Sequence, residues 1–554
     1  MPNLTWLVAL EDAALEAAVT RLRRELDGAG LHDAGPPGPG RAGDATVVWA
    51  DRPLGDATVE RLLNLAGPLV LAGPTLEGAD PGQSLAEAAG VDPGTRTPAH
   101  DVRVRPGRDA GWLGGRVLDH AHAGTAHLGP HTHVHDGVLP LDKTADDVEV
   151  LLTARLGLAD QPLVTWRPQT RVLTWTPGSR VDALAPRGLR RLFVLALCRA
   201  LGLGEPAPVR VGLLGYGAIG HEHSRAVAEV PGLELAAVAD LSAARLDAAR
   251  RHSPGIRTHA DAEALVADPG VDLVVVSTPP NTHAAWARSV LEAGKHVVVE
   301  KPFAIRTAEA DEVLALARDR GRVALVYQNR RFDPDHLAIR RAVRAGRLGE
   351  LFHLEAFVGG FGHPCNLWHS DAVASGGAFY DWGAHVLDQV LDLVDQDVEQ
   401  VTAATHKLRW FDVSNADHSR VTVRFTGGAE ATFVYSDLAA ALKPRWYLLG
   451  TCGALVGHWR TERVVSRSEI GTLAEDVLAP ADSPPLLDLH EPDGSVTRLA
   501  TPPGPAHAFH AELADRIQFG LPTTVTGEQS RRVLAVMEAA TLSAASGGRP
   551  VTPA

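Results

Sequence analysis

The sequence predicts an α/β protein with a doubly wound parallel sheet, an α+β domain with a large antiparallel sheet after it, and a separate three-layer α/β domain before it. Strands and helices alternate from residue 209 to about 328, which is typical of a parallel sheet covered by helices on both faces. After Arg330 the strands acquire period-2 character, as in an antiparallel sheet. A first alternating pattern fills residues 1–204 and ends at a linker that contains Pro206 and Pro208.

The N-terminal domain, residues 1–204, contains several apolar runs that predict strands. These runs are 4–9, 45–50, 68–72, 163–165 and 170–176. Helical periodicity is found near 11–27, 56–65, 145–156 and 187–202. No Gly-x-Gly-x-x-Gly follows any of these strands, so no phosphate loop is expected here.

Composition and charge exclude several classes of function. The chain has 554 residues and a formal net charge of −14 without any Lys/Arg-dense run, so nucleic acid and anionic membranes are not expected partners. No apolar run is long enough to span a membrane, and no secretory segment opens the chain. Cys198, Cys365 and Cys452 are too scattered for a disulfide framework or a zinc site. We therefore expect a cytoplasmic protein with a small-molecule substrate.

The middle domain, residues 205–328, contains five predicted strands. They cover 209–214, 233–239, 271–277, 296–300 and 322–327. Continuous valine runs at 274–276 and 297–299 indicate strands that are buried on both faces. The third domain, residues 329–554, is predicted to be α+β, with helices near 334–345 and 381–394. Its segment 474–503 is rich in Pro and Asp and is predicted to be loop, and a final helix near 527–546 is expected to pack back on the middle domain.

A glycine fingerprint follows the first strand of the middle domain, where residues 215–220 read Gly-Tyr-Gly-Ala-Ile-Gly. Gly215 permits a tight turn, Gly217 lets the backbone approach a pyrophosphate, and Gly220 lets the helix pack close to the strand. The helix N-terminus supplies unpaired N–H groups for the phosphates. Asp240 ends the next strand, where a carboxylate accepts hydrogen bonds from the ribose hydroxyls of NAD and repels a 2′-phosphate. The pattern predicts a Rossmann-type domain that prefers NAD over NADP.

Two further features suggest chemistry, and each has a plainer alternative. Lys301 follows a buried strand at the edge where doubly wound folds bind ligands, but it also fits a solvated lysine beside Pro302. Asp381 and His385 are four residues apart, so on a helix they share a face and can touch. That arrangement suits a general base near neutral pH, but it also fits a helix N-cap and a packed histidine.

In this order the motifs resemble those of the Gfo/Idh/MocA oxidoreductases. The motifs are the glycine fingerprint, Ser-Thr-Pro-Pro-Asn-Thr-His at 277–283, Glu-Lys-Pro at 300–302, Tyr-Gln-Asn-Arg-Arg-Phe at 327–332 and Gly-Gly-x3-Asp-x3-His at 376–385. The resemblance covers about residues 208–550. It implies that Lys301, Asp381 and His385 form the catalytic group. It also implies that one face of the antiparallel sheet meets substrate, while the other often meets an oligomer partner.

The implied reaction is hydride transfer from a secondary alcohol of a sugar or polyol to NAD. In this scheme His385 takes the hydroxyl proton, Lys301 stabilises the developing alkoxide, and Asp381 orients His385. The predicted cofactor-binding residues are Gly215, Tyr216, Gly217, Ala218, Ile219, Asp240, Ser277, Thr278, Pro279, Asn281, His283, Glu300 and Lys301. The predicted substrate contacts are Asn329, Arg330 and Trp368.

The N-terminal domain resembles the ThuA-like, glutamine-amidotransferase-like group, through the stretches 162–166, 171–178 and 189–193. It lacks a Gly-x-Cys-x-Gly nucleophile elbow, so amidotransferase activity is not expected. Six histidines crowd into residues 120–135, namely His120, His122, His127, His131, His133 and His135. A polar loop is the favoured interpretation of this cluster, ahead of a zinc site, so no metal is predicted.

Two other functions remain open at this level. In one, NAD is bound and recycled, and a transient keto-sugar permits elimination, epimerisation or glycoside cleavage. In the other, the chain is a non-catalytic nucleotide-binding regulator, which has no need of a base such as His385. A dehydrogenase produces stoichiometric NADH and a recycling enzyme produces none.

Overall fold

The structure is a computed structural model, and it forms two compact units. The described residues are 3–28, 32–33, 45–51, 54, 56–65, 67–76, 84–93, 95–110, 132–136, 139–143, 145–156, 159–180, 187–202, 206–364, 368–459, 461–468, 471–478, 485–501 and 506–554. The first unit comprises Met1–Pro208, Pro505–His507 and Ala511–Thr523. The second unit comprises Val209–Gly504, Ala508–His510 and Thr524–Ala554.

The first unit is built on a mixed sheet. Its strands are β1 (Asn3–Ala9), β2 (His32–Asp33), β3 (Ala45–Ala50), β4 (Leu69–Ala72), β5 (Val91–Pro93), β6 (His100–Pro106), β7 (Thr132–Asp136), β8 (Leu141–Lys143), β9 (Glu149–Leu156), β10 (Ala159–Arg167) and β11 (Val172–Trp175). Its helices are α1 (Ala13–Gly28), α2 (Asp56–Leu63), α3 (Ser84–Ala89) and α4 (Arg187–Ala200). In the described part, nine strands form one sheet in the order β2-β1-β3-β4-β11-β10-β9-β6-β7. In this order, the four pairings that join β2, β1, β3, β4 and β11 are parallel. The four pairings that join β11, β10, β9, β6 and β7 are antiparallel.

Two apolar cores flank this sheet. One contains Trp49 and Trp175 with α1 and α4, and the other contains Leu69 and Leu71 with α2 and α3. Helices therefore cover both faces, and the predicted three-layer α/β architecture is confirmed. The predicted helix at 145–156 is wrong, because residues Glu149–Leu156 pair with β10 and β6 as strand β9.

The domain boundaries differ from those that the sequence suggests. The first unit extends to Pro208, beyond the expected boundary at 204, and includes residues 511–523 from far along the chain. Phe519 and Leu521 belong to its apolar core. Arg191 Nε donates to Asp515 Oδ1 at 2.5 Å inside the same unit. Hydrophobic burial thus assigns a C-terminal segment to the N-terminal unit, which spacing along the chain does not reveal.

The second unit begins with a parallel sheet. Its strands are β12 (Val209–Leu214), β13 (Leu233–Ala239), β14 (Arg257–His259), β15 (Leu273–Val276), β16 (His296–Val299) and β17 (Ala324–Val326), and the order is β14-β13-β12-β15-β16-β17. The connecting helices are α5 (Ala218–Glu229), α6 (Ala243–His252), α7 (Ala262–Ala267), α8 (His283–Glu292) and α9 (Thr307–Asp319). All five pairings are parallel, so the predicted doubly wound sheet is confirmed.

A second sheet follows. This part of the chain contains α10 (Pro334–Arg344), β18 (Leu351–Gly359), α11 (Ala372–Ser375), α12 (Trp382–Leu393), β19 (Val398–His406), β20 (His418–Phe425), β21 (Glu430–Ser436), β22 (Trp446–Gly450), β23 (Gly453–His458), β24 (Thr461–Ser468), β25 (Gly471–Leu478), β26 (Leu486–His490), β27 (Val496–Arg498) and α14 (Gly527–Ala545). Helix α13 (Ala508–Phe519) lies between β27 and α14 along the chain, and most of it belongs to the first unit. Among the described strands the sheet order is β19-β20-β21-β18-β22-β23-β26-β27. Only the β18–β21 pair in it is parallel, and β24 and β25 form a separate hairpin.

The loop predicted for 474–503 is wrong over much of its length. Part of β25 lies within it, and β26 and β27 extend the edge of the sheet. Leu487 and Leu489 alternate inward and are fully buried, a short pattern that the flanking prolines and aspartates conceal in the sequence. Helix α14 packs on β19, α12, α9 and β17. None of the described helices has the length and hydropathy needed to cross a membrane.

Candidate active site

The loop between β12 and α5 is shaped to hold a phosphate. Gly215 has a φ of +95°, and a Cβ on it would lie 2.6 Å from the carbonyl oxygen of Ser277. A Cβ on Gly220 would lie 2.2 Å from the carbonyl oxygen of Gly215, so turn and helix pack too closely for a side chain. A Cβ on Gly217, the N-cap of α5, would meet no described atom within 4 Å. Open space therefore adjoins the helix N-terminus, where unpaired N–H groups favour an anion.

Asp240 lies at the carboxyl end of β13, beside the glycine loop. Its Oδ2 accepts a hydrogen bond from the Tyr216 backbone N–H at 2.8 Å, and its Oδ1 accepts one from the Ser242 N–H at 2.8 Å. Arg245 Nη1 lies 3.4 Å from Oδ2. The carboxylate is thus fixed at the edge of the site. The sequence did not single out Arg245, which places a cation next to this carboxylate from the first turn of α6.

Tyr216 can meet a dinucleotide only through its backbone. Its side chain is fully buried, and its hydroxyl lies 3.3 Å from His221 Nδ1 and 3.4 Å from His252 Nδ1. Burial raises the pKa of Tyr216 above its usual value. The ring therefore packs between α5 and α6, and the prediction of cofactor contact applies to its main chain.

Four other predicted cofactor residues lie on the same edge of the parallel sheet. Ala218 and Ile219 form the first turn of α5. Pro279 precedes the 3-10 helix Pro280–Thr282, on which Asn281 is exposed. Their positions at the carboxyl ends of β12 and β15 are where ligands of doubly wound folds bind.

The segment after β15 is held by its own side chains. Ser277 Oγ is buried and has no hydrogen-bond partner in the described structure. Thr278 Oγ1 lies 2.7 Å from Thr282 Oγ1. His283 is 1% exposed, with Nδ1 2.7 Å from the Pro302 carbonyl oxygen and Nε2 2.8 Å from the Thr278 carbonyl oxygen. His283 therefore links the loop that contains Thr278 to the loop that contains Pro302. Because its side chain is buried, it does not fit the predicted contact with the cofactor.

Glu300 is a support for the turn that presents Lys301. Its side chain is buried, its Oε1 lies 2.8 Å from His223 Nε2, and its Oε2 accepts a hydrogen bond from the Lys301 N–H at 3.1 Å. His223 Nδ1 in turn lies 2.8 Å from His510 Nε2. Neither histidine belongs to a motif that the sequence singles out. The position of His223, three residues after Gly220 of the glycine fingerprint, could have marked it as a residue near the cofactor site. His510 gives no such signal, because it lies 287 residues from His223 along the chain.

Lys301 and Asp381 form an ion pair, and the charge of Lys301 acts on the nearby His385, whose Nδ1 has no hydrogen-bond partner among the described residues. Lys301 Nζ donates to Asp381 Oδ1 at 2.6 Å. His385 is 7% exposed, and its buried Nδ1 makes no hydrogen bond to any described residue. The expected contact between Asp381 and His385 is therefore not formed. Asp381 is the N-cap of α12, with φ −88° and ψ −90°, so its side chain does not follow the helical row that leads to His385.

The electrostatics of this group favour a neutral imidazole beside an ionised carboxylate. Burial lowers the pKa of His385 well below its usual value, and the charges of Lys301, Arg330 and Arg445 lower it further. Desolvation acts to raise the pKa of Asp381, but Lys301 and other nearby cations outweigh it and hold that pKa below its usual value. A neutral imidazole can accept a proton, and the ammonium group of Lys301 supplies a positive charge.

Arg330 contributes a cation that is held by aromatic rings. Its guanidinium carbon lies 4.6 Å from the ring centroid of Trp382 and 5.7 Å from that of Trp459. Its Nη1 lies 3.3 Å from Asp333, whose pKa burial raises to about 7. The preceding residue, Asn329, has a buried Oδ1 with no hydrogen-bond partner among the described residues. The charge of Arg330 acts on His385 and lowers its pKa, so this predicted substrate contact lies near the catalytic candidates.

A cavity of about 90 Å³ adjoins Asp381 and is lined by His369, Asn415 and Asp437. Trp368, a predicted substrate contact, stacks on His369 with the ring centroids 3.6 Å apart. Burial lowers the pKa of His369 and raises that of Asp437 to about 6. These three lining residues come from separate stretches of the chain, so no single sequence motif contains them.

The comparisons with known proteins cover this part of the chain. Residues 209–328 match the family model of the Gfo/Idh/MocA oxidoreductases with an NAD-binding Rossmann fold, and residues 336–456 match the model of the Gfo/Idh/MocA C-terminal domain. The uncharacterized oxidoreductase YrbE of Bacillus subtilis is 31% identical, over 44% of this chain and 72% of that protein. The scyllo-inositol 2-dehydrogenase (NADP(+)) IolW of Bacillus subtilis is 25% identical, over 60% of this chain and 92% of that protein.

Coverage differs among the relatives. The match with the uncharacterized oxidoreductase YdgJ of Escherichia coli is 37% identical but spans 33% of this chain and 53% of that protein, about half of its length. The crystal structure of an NAD-binding protein from Listeria innocua superposes with a TM-score of 0.53 at 28% identity, covering 62% of this chain and 96% of that one. These matches extend over the parallel-sheet domain and the domain after it, and they show that the chain belongs to the Gfo/Idh/MocA family of NAD-binding oxidoreductases.

Proposed function

We propose that this protein oxidises a secondary alcohol of a sugar, a polyol or a sugar derivative and transfers the hydride to NAD. The observation that carries the proposal is the arrangement of His385 beside the Lys301–Asp381 ion pair. This group follows the carboxyl edge of the parallel sheet, where a dinucleotide of this fold ends. The name of the relative IolW, an inositol dehydrogenase, supports a polyhydroxylated substrate.

Different side chains accept the hydroxyl proton and stabilise the negative charge that develops on the substrate oxygen. His385 accepts the hydroxyl proton, because its lowered pKa keeps the imidazole neutral near pH 7. Lys301 donates a hydrogen bond to the substrate oxygen as negative charge develops there, and Asp381 holds the ammonium group in place. The bound dinucleotide supplies the hydride acceptor. Asp381 is thus proposed to position Lys301, which replaces the orienting role toward His385 that the sequence suggested.

The remaining polar groups are proposed to bind substrate hydroxyls. Asn329 offers a buried Oδ1 that has no hydrogen-bond partner among the described residues, and the charge of the adjacent Arg330 acts on His385. Trp368 stacks on His369, which lines the cavity beside Asp381 together with Asp437. Hydrogen-bonding groups of this kind suit a polyol. Buried groups that lose a hydroxyl partner disfavour deoxygenated analogues.

We propose NAD rather than NADP as the preferred cofactor. Asp240 stands where the ribose hydroxyls of the adenosine half would lie, and its negative charge disfavours a 2′-phosphate. The adjacent Arg245 offsets part of that charge, so the preference is expected to be moderate.

The first unit is proposed to be accessory. Among its described residues we identify no catalytic constellation. We propose that it helps to bind substrate or to build a homo-oligomer.

The free thiols of Cys198 and Cys452 fit a reducing cytoplasm as the site of action.

The test is NAD reduction, followed by absorbance, across a panel of sugars, inositols and glycosides, with the products identified by mass. We expect stoichiometric NADH with at least one neutral polyol or sugar. His385→Ala and Lys301→Ala should lower turnover by about 10²–10⁴-fold and leave NAD affinity nearly intact. His406→Ala, a change at an exposed histidine on β19, is the matched control.

The alternatives give different results in the same assay. Product formation without net NADH would favour the recycled-NAD enzyme. NAD binding with no product from any substrate class would favour the non-catalytic regulator. Near-wild-type rates for both the His385 and Lys301 variants would contradict the assignment of the catalytic group.

A further inference from the structure

The second unit contains a cavity that shares no lining residue with the catalytic group. Its volume is ≈ 340 Å³, and it is enclosed by α10, the C-terminal end of α12 and the first turns of α14. Four arginines line it, namely Arg331, Arg340, Arg344 and Arg532. This volume is sufficient for a small ligand, because pockets of about 300–1,000 Å³ are typical of small-molecule sites.

Carboxylates neutralise only the inner wall of this cavity. Arg331, which is 2% exposed, donates to Asp388 at 2.7 and 2.5 Å and to Asp392 at 3.0 Å. Asp392 also accepts from Arg340 at 3.3 Å and lies 2.8 Å from His336 Nε2. Desolvation acts to raise the pKa of Asp392, but these contacts outweigh it and hold that pKa well below its usual value. Asp392 is therefore already engaged.

The outer wall carries positive charge without such compensation. Arg344 is exposed near the end of α10, and Arg532 donates to the backbone carbonyl oxygen of Gln396 from α14. In the described part of the chain, neither arginine forms an ion pair with a carboxylate. Asp395 is exposed at the rim and offsets one of the charges. In a chain of net charge −14, a cavity with several converging guanidinium groups indicates an anionic ligand.

We propose that this cavity binds a phosphoryl group, either as free phosphate or as part of a small phosphorylated metabolite. The forks of Arg340 and Arg344 on α10 and of Arg532 on α14 offer several N–H donors from two helices. A phosphate dianion presents at least three acceptor oxygens and satisfies more than one fork, whereas a monocarboxylate satisfies one. The ligand is distinct from the dinucleotide, whose phosphates belong at the glycine loop between β12 and α5.

The cavity is also connected to the catalytic helix. His385 and Asp392 are seven residues apart on α12, which places them on the same side of the helix about 10 Å apart along its axis. Asp392 holds Arg340, so a phosphate that engages Arg340 competes with a contact at the end of α12. The binding site therefore adjoins the element that presents the proposed base.

The experiment is titration calorimetry on the full-length protein saturated with NAD, so that phosphate probes cannot occupy the glycine loop. The probes are inorganic phosphate, glucose 6-phosphate, acetate and glucose. The variant is Arg344→Ala combined with Arg532→Ala. Arg341→Ala is the matched control, because it removes the same charge from an exposed position of α10 that does not line the cavity.

We expect the wild type and the Arg341 variant to bind phosphate or glucose 6-phosphate, and acetate to give no saturable signal. Any glucose signal, which would come from the proposed catalytic site, should be the same in the wild type and in the double variant. The double variant should bind the phosphoryl probe at least about tenfold more weakly, with NAD affinity unchanged. Tighter binding of glucose 6-phosphate identifies a metabolite as the source, and equal or tighter binding of phosphate identifies the free anion. Unchanged affinity in the double variant, equal binding of acetate, or no saturation by either phosphoryl probe at millimolar concentration would overturn the proposal. The single variants replace the double variant if it loses NAD binding.

Discussion

Gly217→Ala separates the role of the glycine loop in binding from its role in folding. Gly217 has φ −76° and ψ −163°, a conformation that alanine adopts readily, and its Cβ would meet no described atom within 4 Å. The protein without cofactor should therefore accept the methyl group. Reduced entropy of the unfolded chain should even stabilise it by about 0.4–1 kcal/mol. The methyl group would project into the space that a pyrophosphate must enter, so the substitution should lower the affinity for NAD.

The size of that cost follows from the hydrogen bonds at risk. A phosphate held away from the helix N-terminus loses one or more charge-assisted bonds, each worth about 1.5–3 kcal/mol. The dissociation constant for NAD should therefore rise by about tenfold to a hundredfold or more. Gly220→Ala is the contrasting variant, because its Cβ would lie 2.2 Å from a backbone oxygen of Gly215. Relief of that clash requires a shift of about 1 Å and should cost about 1–3 kcal/mol of stability.

The assay pairs fluorescence titration of NAD with thermal unfolding of both variants. Gly217→Ala should keep the melting temperature and lose affinity, and Gly220→Ala should lose both. Wild-type NAD affinity in Gly217→Ala would show that the pyrophosphate does not approach this residue. An equal loss of stability in both variants would show that the open space beside Gly217 is absent in solution.

Three further predictions concern pH dependence, cofactor choice and the first unit. Because the pKa of His385 is lowered, kcat/KM should fall only as the pH drops through a value below about 6.5, and Arg330→Gln should move that limb to higher pH; an unmoved limb would contradict the electrostatic account. Asp240→Ser should improve the affinity for NADP relative to NAD by at least about tenfold, as measured by parallel titrations, and an unchanged ratio would show that the carboxylate does not face the ribose. Asp515→Asn should weaken the buried pair with Arg191 and lower the unfolding temperature of the first unit without changing NAD affinity, since breaking such pairs costs about 3–5 kcal/mol; an unshifted transition would remove Asp515 from the core of that unit.

Local patterns were sufficient for the parallel sheet. Its strands carry continuous apolar runs, and the three glycines of the loop lie within six residues of one another, where a Cβ on Gly215 or Gly220 would meet backbone atoms. The catalytic candidates Lys301, Asp381 and His385 were also predictable, because each belongs to a compact motif. Their pairing was not, since it depends on the dihedral angles at the N-cap of α12.

The first unit was harder to predict. Strand β9 carries an apolar pattern that fits a helix or a strand over a short length, and only its neighbours β6 and β10 decide between them. In the second unit, flanking Pro and Asp residues concealed the strands β26 and β27. In both cases long-range pairing overrides local propensity.

The sequence by itself determined the α/β and α+β class of the fold and the dinucleotide loop, and it supplied the candidate catalytic residues, because each of these depends on periodicities or on a motif within about twenty residues. The tertiary structure decided which groups meet. It pairs Asp381 with Lys301, gathers Arg330 and Arg445 around His385, and assigns residues 511–523 to the core of the first unit. Burial and charge act through space among residues that are distant along the chain, so no local pattern records them.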